Sequence, residues 1–333
     1  MGMTLLVIKD GATYDMTPLV ENVTWSGRKS SAPRSLDFSL LDSDRYGHNR
    51  SGIDVERGQQ CAFYWNGEEL FRGVIMRQEQ SQKRTATYKA YDNAIYLANN
   101  EDTFVYKQKT ATQIFNDICR RFSLSGNAVN TGYVINDMTK PNTTCIDVIW
   151  AALAKTYRAT GRRYYVISQK GVLNLIARAD NLVQWVIEEG VNATGYSMTK
   201  SIENVRTRVK IYSDGNTELA MASDPALEAR IGVLQKTESS SEKNDKAKAK
   251  TTAQSVLENL KKPEESFSIE ALGIPYVYSG VAVWINVPFL GVSRTFYVDE
   301  DSHEFKMNVH TMKLTLNATN DVQGAENLED DEK

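Results

Sequence analysis

The sequence predicts an α+β, mainly β protein: two similar small antiparallel β-barrel domains, an α+β domain between them, and a helix inserted in the second barrel. Three observations carry this. Residues 280–316 alternate apolar and polar positions in three runs, with Val281, Val283 and Ile285 sharing one face, then Phe296 and Val298, then Met312, Leu314 and Leu316. Period two over such runs marks strands buried on one side. Pro288 and Gly291, and then residues 304–308, break the runs into an antiparallel meander. About six similar short runs fill the first part of the chain, a spacing that points to a small barrel or sandwich. Between these two regions the apolar period becomes that of helices.

Taken in order, residues 4–9 and 20–26 read as strands, with Asp10-Gly11 as a turn signal. Leu36, Phe38 and Leu40 place residues 35–41 on one face, and the polar stretch 43–52 reads as a loop. A strand over 60–65 returns through Asn66-Gly67, the strongest short hairpin signal in the chain, into 70–78, and 84–91 alternates again. Thr110 and Gln113 form a capping box. Ile114, Phe115, Ile118, Cys119 and Phe122 follow as one helical stripe, stopped by Ser125-Gly126-Asn127. Thr143 or Thr144 opens a second helix, with Ile146, Ile149, Trp150, Leu153 and Tyr157 on one face. Residues 163–168 and 172–178 form a hairpin through Gln169-Lys170-Gly171. Strands resume at 196–201 and 205–212, followed by a turn at Asp214-Gly215-Asn216, and residues 224–240 carry no clear period. A helix over 243–260 has Ala247, Ala253, Val256, Leu257 and Leu260 as a weak stripe and Pro263 beyond its end. A strand over 266–271 leads into the final meander. The acidic stretch 321–333 lacks periodicity and is expected to be disordered. These elements divide the chain into 1–105 (first barrel), 106–195 (α+β domain) and 196–320 (second barrel with its inserted helix).

One recurrence links the two ends. Gly58, Phe71 and Tyr88 lie 13 and 17 residues apart; Gly280, Phe296 and Met312 lie 16 and 16 apart. Each trio opens one strand and sits in the next two, which predicts two copies of one β unit.

Composition narrows the function. A net charge of −3 and a pI of about 5.8 do not match a nucleic-acid binder, whose domain is usually strongly basic. Arg120-Arg121, Arg162-Arg163 and the lysines of 246–250 read as solvated faces. Cys61, Cys119 and Cys145 are too widely spaced for a disulfide framework or a metal-binding pair; buried thiols and folding in a reducing cytoplasm are expected. The longest apolar run, 148–154, is far short of the ~20 residues that span a bilayer, and residues 5–8 are too short for a signal peptide, so no membrane anchor is expected.

The search for chemistry returns little. There is no GxSxG, HExxH, Walker A or GxGxxG pattern. His303 and His310 lie seven apart across a predicted turn, beside Asp299, Glu300, Asp301 and Glu304. A metal site is the sharp reading. The plainer one is preferred: a strand-end histidine with a hydrogen-bond partner beside a solvated acidic loop, because a strand sends neighbours to opposite faces. No catalytic, cofactor-binding or metal residue is therefore assigned, and no cofactor is expected. Trp25, Phe38, Phe63, Phe71, Trp150, Phe296 and Tyr297 read as core. Tyr164-Tyr165, and Tyr276 with Tyr278, put rings on both strand faces, one of them a candidate interface. A chain of this size without a catalytic constellation leans towards a structural role.

Several ordered segments carry a family likeness. Thr13-Tyr14-Asp15-Met16-Thr17-Pro18, Trp25-Ser26-Gly27, Glu69-Leu70-Phe71-Arg72-Gly73 and Tyr88-Lys89-Ala90-Tyr91-Asp92 resemble the first barrel of phage tail hub proteins. Ser201-Ile202-Glu203-Asn204, Arg208-Val209-Lys210-Ile211-Tyr212, Gly232-Val233-Leu234-Gln235 and Ser268-Ile269-Glu270-Ala271-Leu272-Gly273 continue in the same order. Phe296-Tyr297-Val298-Asp299, His303 and His310-Thr311-Met312 close the set. The likeness runs from about residue 5 to 318 and is to the XkdQ/YqbQ type, from contractile phage tails, defective prophages and bacteriocin-like particles.

The resemblance implies a non-enzymatic baseplate hub: a homotrimer whose six barrels adapt a hexameric tail tube protein ring to a trimeric central spike protein, among other baseplate proteins. DNA is then only passing cargo in the channel, and only if the particle is an infectious phage rather than a DNA-free bacteriocin. The expected location is the virion tail or tail-like particle, assembled in the host cytoplasm. Some family chains carry a fused lytic or LysM-like domain; none is evident here. The alternative is a tail-associated cell-wall hydrolase or carbohydrate-binding module, although Trp25, Trp65 and Trp185 sit in or beside strands rather than on exposed loops.

Overall fold

The computed structural model describes residues 2–29, 31–41, 54–80, 85–177, 185–213, 217–240 and 246–317. The expected loop 43–52, the turn 214–216, the tail 321–333, and the positions 84, 178 and 243–245 lie outside the described residues. The chain separates into two compact units: one reaches Tyr196 and resumes at Ser268, and the other is Ser197–Phe267.

The first unit begins with strands β1 (Met3–Lys9), β2 (Ala12–Asp15), β3 (Val20–Arg28), β4 (Ser31–Leu41), β5 (Gln60–Trp65), β6 (Glu68–Gln80) and β7 (Thr85–Asp92). Leu36, Phe38 and Leu40 are buried together, as the alternation requires. Asn66 and Gly67 both take positive φ, 52° and 86°. Two-residue hairpins need this geometry to match strand twist, and Asn-Gly reaches it at least cost.

Next come α1 (Ile95–Asn99), β8 (Glu101–Thr110), α2 (Ala111–Arg121), β9 (Gly126–Ala128), β10 (Val134–Thr144), α3 (Cys145–Thr160), β11 (Tyr164–Gln169) and β12 (Val172–Ala177). Thr110 caps α2 in a full capping box with Gln113, and Thr144 caps α3 by accepting from Asp147 N–H. Ile114, Phe115 and Ile118 of α2 pack with Ile146, Ile149 and Leu153 of α3 in one apolar core. The antiparallel β8–β10 ribbon left no readable alternation. It buries only Phe104 and Tyr106 from one strand, Ile135 and Met138 from the other, and its outer face mixes polar residues with the exposed Val105 and Val134.

The rest comprises β13 (Val186–Glu188), β14 (Ala193–Ser201), β15 (Arg208–Ser213), β16 (Glu218–Ser223), α4 (Pro225–Ile231), β17 (Gln235–Ser240), α5 (Lys246–Leu260), β18 (Glu264–Leu272), β19 (Ala282–Val287), β20 (Val292–Lys306) and β21 (Val309–Asn317). In the second unit the order is β16-β15-β17, and Ala249, Ala253 and Leu257 of α5 cover Val209, Ile211 and Leu219. The stretch 224–240 forms α4, capped by Asp224, and β17. Both are short, and α4 buries no residue, so neither has a period to read.

The long sheet has the order β14-β18-β21-β20-β3-β4-β7-β6-β5-β1-β2, with β13 and β19 branching from β20. The two expected barrels are not confirmed as such, because the strands of one run on into those of the other in a single sheet. No closed barrel is found among the described residues. Strands assigned to different barrels, β3 and β20, are antiparallel neighbours. The cause is the length of β20. It does not break at Glu304 but runs 15 residues to Lys306, turning only at Met307 and Asn308. Its far half pairs with β3, which satisfies two edges at once.

Candidate functional site: a buried joint

Two sequence features aim polar groups inward where β3, β4 and β20 meet. Arg34 shares parity with Leu36, Phe38 and Leu40 along β4, so its side chain enters the core. In β20 the register shifts between Val298 and Glu300. That bulge changes which parity faces in, and Asp301, His303 and Phe305 become the buried set. Arg34 and Asp301 then meet as a two-pronged pair, Nη1 to Oδ1 at 2.9 Å and Nη2 to Oδ2 at 2.5 Å. Ser279 N–H donates to the same carboxylate at 2.6 Å. The Arg34 guanidinium lies 4.1 Å above the Trp25 ring centroid. Gly27 makes this possible: a Cβ there would stand 2.3 Å from Arg34 Nη1. Asp92 accepts from Arg34 N–H at 3.2 Å and Ala94 N–H at 2.9 Å. Burial nevertheless pushes its carboxyl up to about 7.

The two histidines do come together. A carbonyl only accepts, so His303 Nε2 must donate to Val277 O at 2.9 Å. Its Nδ1 is then a bare acceptor, and His310 Nε2 donates to it at 2.9 Å. Both rings are neutral. Burial lowers His303 to about 4, and burial with the neighbouring ring lowers His310 to about 3. Phe305 stacks on His310 with centroids 4.0 Å apart. Among the described residues no group of three His, Cys, Asp or Glu is placed to hold a metal ion. The solvated acidic loop is corrected too. Asp299, Glu300 and Asp301 lie within β20 and face Lys29, Arg28 and Arg34, at 3.6, 3.9 and 2.5 Å.

Of the other singled-out residues, Trp25, Phe38, Phe63, Phe71 and Phe296 are buried, while Trp150 and Tyr297 are half-buried. Tyr164 and Tyr165 line a cavity of about 70 Å³ with Trp150. Tyr278 is buried near Arg34, whereas Tyr276 is exposed and donates to Glu68 at 2.6 Å. All three cysteines are buried, and desolvation pushes the Cys61 thiol up to about 12 and those of Cys119 and Cys145 up to about 11. Arg34 and Asp92 were not anticipated. The signal for Arg34 was its parity with three buried apolar residues.

The joint lies between two equivalent strand sets. One is ordered β5-β6-β7-β4-β3 and the other β19-β20-β21-β18-β14. Gly58 and Gly280 both have left-handed φ, 90° and 101°. Gly58 N–H donates to Ile75 O, and Ile75 N–H to Gln59 O; Gly280 N–H donates to Val298 O, and Val298 N–H to Val281 O. The register shift follows directly in each, between Ile75 and Arg77 and between Val298 and Glu300. The second unit occupies the β14–β18 connection, where β3 and β4 are joined by only two residues.

Comparison with known proteins agrees with this geometry. Residues 23–317 match the model of the YQBQ-like family. The chain is 35% identical over 325 residues to YqbQ of Bacillus subtilis (strain 168), covering 96% of this chain and 97% of that protein. It is also 35% identical over 317 residues to the phage-like element PBSX protein XkdQ of the same organism, covering 94% and 96%. Among solved structures it is similar to the 43 kDa tail protein of prophage MuSo2 from Shewanella oneidensis, with TM-score 0.66 and 14% identity, covering 94% of this chain and 97% of that one. The duplicated strand set thus belongs to a β-rich phage tail fold, and the chain belongs to the YQBQ-like family.

Proposed function

We propose that the chain is a structural tail hub of a contractile phage tail or tail-like particle. It assembles as a homotrimer around a channel. Each protomer supplies two pseudo-equivalent β sets, within residues 1–105 and 196–320, with 106–195 between them. Three chains then offer six similar surfaces to a hexameric tube ring on one face and threefold symmetry to a central spike on the other. Closed rings are the usual way to build such assemblies. The observation that carries this reading is the duplicated strand set, down to its glycine, its hydrogen bonds and its bulge. The name of XkdQ, which places that relative in a phage-like element, supports the setting. A net charge of −3 suits a channel wall that DNA passes without sticking, since basic walls bind phosphate strongly. The joint's part is mechanical: it locks one β set to the other.

The test is solution mass by light scattering with negative-stain averages, for the chain alone and with the tube and spike proteins of its own tail. Three chain masses and a ring with a central hole are expected. A chain that stays monomeric with both partners present overturns the proposal. Clearing of peptidoglycan in a zymogram would favour the hydrolase alternative.

A further inference from the structure

The cavity of about 70 Å³ in the first unit lies where the end of β3, the start of β4, α3 and β11 meet. Its apolar wall comes from Trp150 and Leu153 of α3 and from Tyr164 and Tyr165 of β11. Arg28, Lys29 and Arg163 stand in the same wall, and so does Arg34. Among the described residues the wall holds no acidic side chain. Asp301 neutralises Arg34. Arg28 and Lys29 reach Glu300 and Asp299 only at 3.9 and 3.6 Å, beyond hydrogen-bond length. Arg163 donates to the Tyr157 hydroxyl at 2.6 Å and lies over that ring. The Arg34 Nε–H is buried without an acceptor. The site is thus an apolar pocket with a basic rim.

Its size selects the occupant. Pockets for small molecules run to about 300–1,000 Å³, and benzene sits in a cavity of about 150 Å³. A cavity of about 70 Å³ takes one aliphatic side chain, and whatever flanks that side chain meets the rim. The sequence beyond β21 has this chemistry. Residues 318–333 carry six acids and one lysine, a net of −5. Their large apolar residues are Val322 and Leu328, and Leu328 is followed directly by Glu329, Asp330, Asp331 and Glu332.

We infer that Leu328 seats in this cavity of its own chain, with the acids that follow it against Arg28, Lys29 and Arg163. The path is short. Asn317 pairs with Tyr297, and Tyr297 with Ala282, two residues past Gly280 of the cavity wall. Two strand spacings are about 10 Å. The eleven residues 318–328 reach roughly 36 Å when extended. A segment too polar to build a core can still order against a site that is already formed. Tethering gives it a high local concentration, ahead of a similar segment on another molecule.

The test is thiol labelling in the full chain. Leu328→Cys keeps the position apolar, since cysteine behaves as a small hydrophobe, and Val322→Cys is the reference. The three native cysteines are buried and leave the background low. In low salt a small maleimide is expected to label Leu328→Cys about tenfold more slowly than Val322→Cys, as a site open one time in ten would be. The difference should vanish near 1 M salt, where screening acts within ~3 Å, and on adding Arg28→Glu at the rim. Leu328→Cys combined with Ser31→Cys or with Ala32→Cys, both cavity-wall positions, should on oxidation give a disulfide within one chain, found by peptide mapping. Equal labelling rates in low salt overturn the inference, as does slow labelling that ignores both salt and Arg28→Glu. Slower labelling of Val322→Cys shows that the wrong residue was chosen. Linked species of two chain masses show that the occupant comes from a second copy, and no link from either wall position places Leu328 elsewhere; each overturns the inference.

Discussion

Two parts of the first unit are equally buried and differently held. Around α2 and α3 the core is apolar: Ile114, Phe115, Ile118 and Ile149 touch other hydrophobic side chains and need no particular partner. At the joint the buried groups are Arg34, Asp92, Asp301 and His303, and each depends on named atoms. An apolar core loses stability by degrees, since neighbours relax into part of any space opened. A buried ion pair fails all at once, because the surviving charge has nowhere to go. The difference suits their places. The core holds a local α+β segment together, whereas the joint sets the register of β3 on β20. A one-residue slip there would turn Asp301 and His303 to the outer face.

The largest expected effect tests that contrast directly. Asp301→Ala leaves the Arg34 guanidinium buried without its carboxylate and should cost about 3–5 kcal/mol. The double variant Arg34→Met with Asp301→Leu removes both charges and should recover most of that. Urea midpoints at constant slope give both values. A single variant within about 1 kcal/mol of the parent would show that water reaches the pair, and the contrast would collapse. On the apolar side, Ile149→Ala should cost about 3 kcal/mol, within the usual range for a fully buried aliphatic side chain, with no second substitution able to restore it by charge removal.

Acid sharpens the comparison further. His303 is neutral in the fold with its pKa lowered to about 4 from an ordinary value of 6.5. Between those values the unfolded chain takes up a proton that the folded chain refuses. Stability from this group is therefore full above 6.5 and falls as pH drops through 4, by at most about 3 kcal/mol at ~1.4 kcal/mol per pKa unit. His310 acts in the same direction. Asp92 acts in the opposite one. Its pKa is raised to about 7, so its contribution is present below 3.8 and lost as pH rises through 7. From pH 6.5 to 4 the two partly cancel. Asp92→Asn should make the acid-side loss steeper than in the parent, and His303→Phe should make it shallower, read as urea midpoints between pH 4.5 and 7.5. Parallel profiles in all three proteins would remove the joint from the acid response.

The contrast also explains what could be read from the sequence. The helical core was legible because its rules are local: a capping box at Thr110, stripes such as Ile114, Phe115 and Ile118, and a turn at Lys170-Gly171. The last three strands were legible for the same reason, except for the part of β20 beyond its bulge. The joint was not, because it depends on a bulge. Parity counted along 292–306 without the shift at Glu300 puts Asp301 and His303 on the face opposite Phe296. The acid run then reads as exposed. Nor does any local pattern say that β3 chooses β20 as its neighbour. That choice is made by two strands some 270 residues apart in the sequence, and so the two expected barrels appear as one shared sheet. The spacing recurrence of Gly58 and Gly280 was weak evidence in the sequence. It gained force from matched hydrogen bonds, which spacing cannot show.

The smallest expected effect asks whether local rules are enough on the apolar side. Thr110→Ala removes the side-chain oxygen that accepts from Gln113 N–H and leaves the partner half of the box, Gln113 to Thr110 N–H, in place. A lost threonine cap costs about 1 kcal/mol. The cap is exposed and touches nothing in the joint, so the loss should add to that of Asp301→Ala within about 0.5 kcal/mol, as distant sites do. A larger departure in the double variant would mean that α2 feels the state of the β3–β20 contact. The α+β segment and the joint would then be one cooperative structure, and the distinction between a core that yields by degrees and a joint that fails at once would hold only for the side chains, not for the fold.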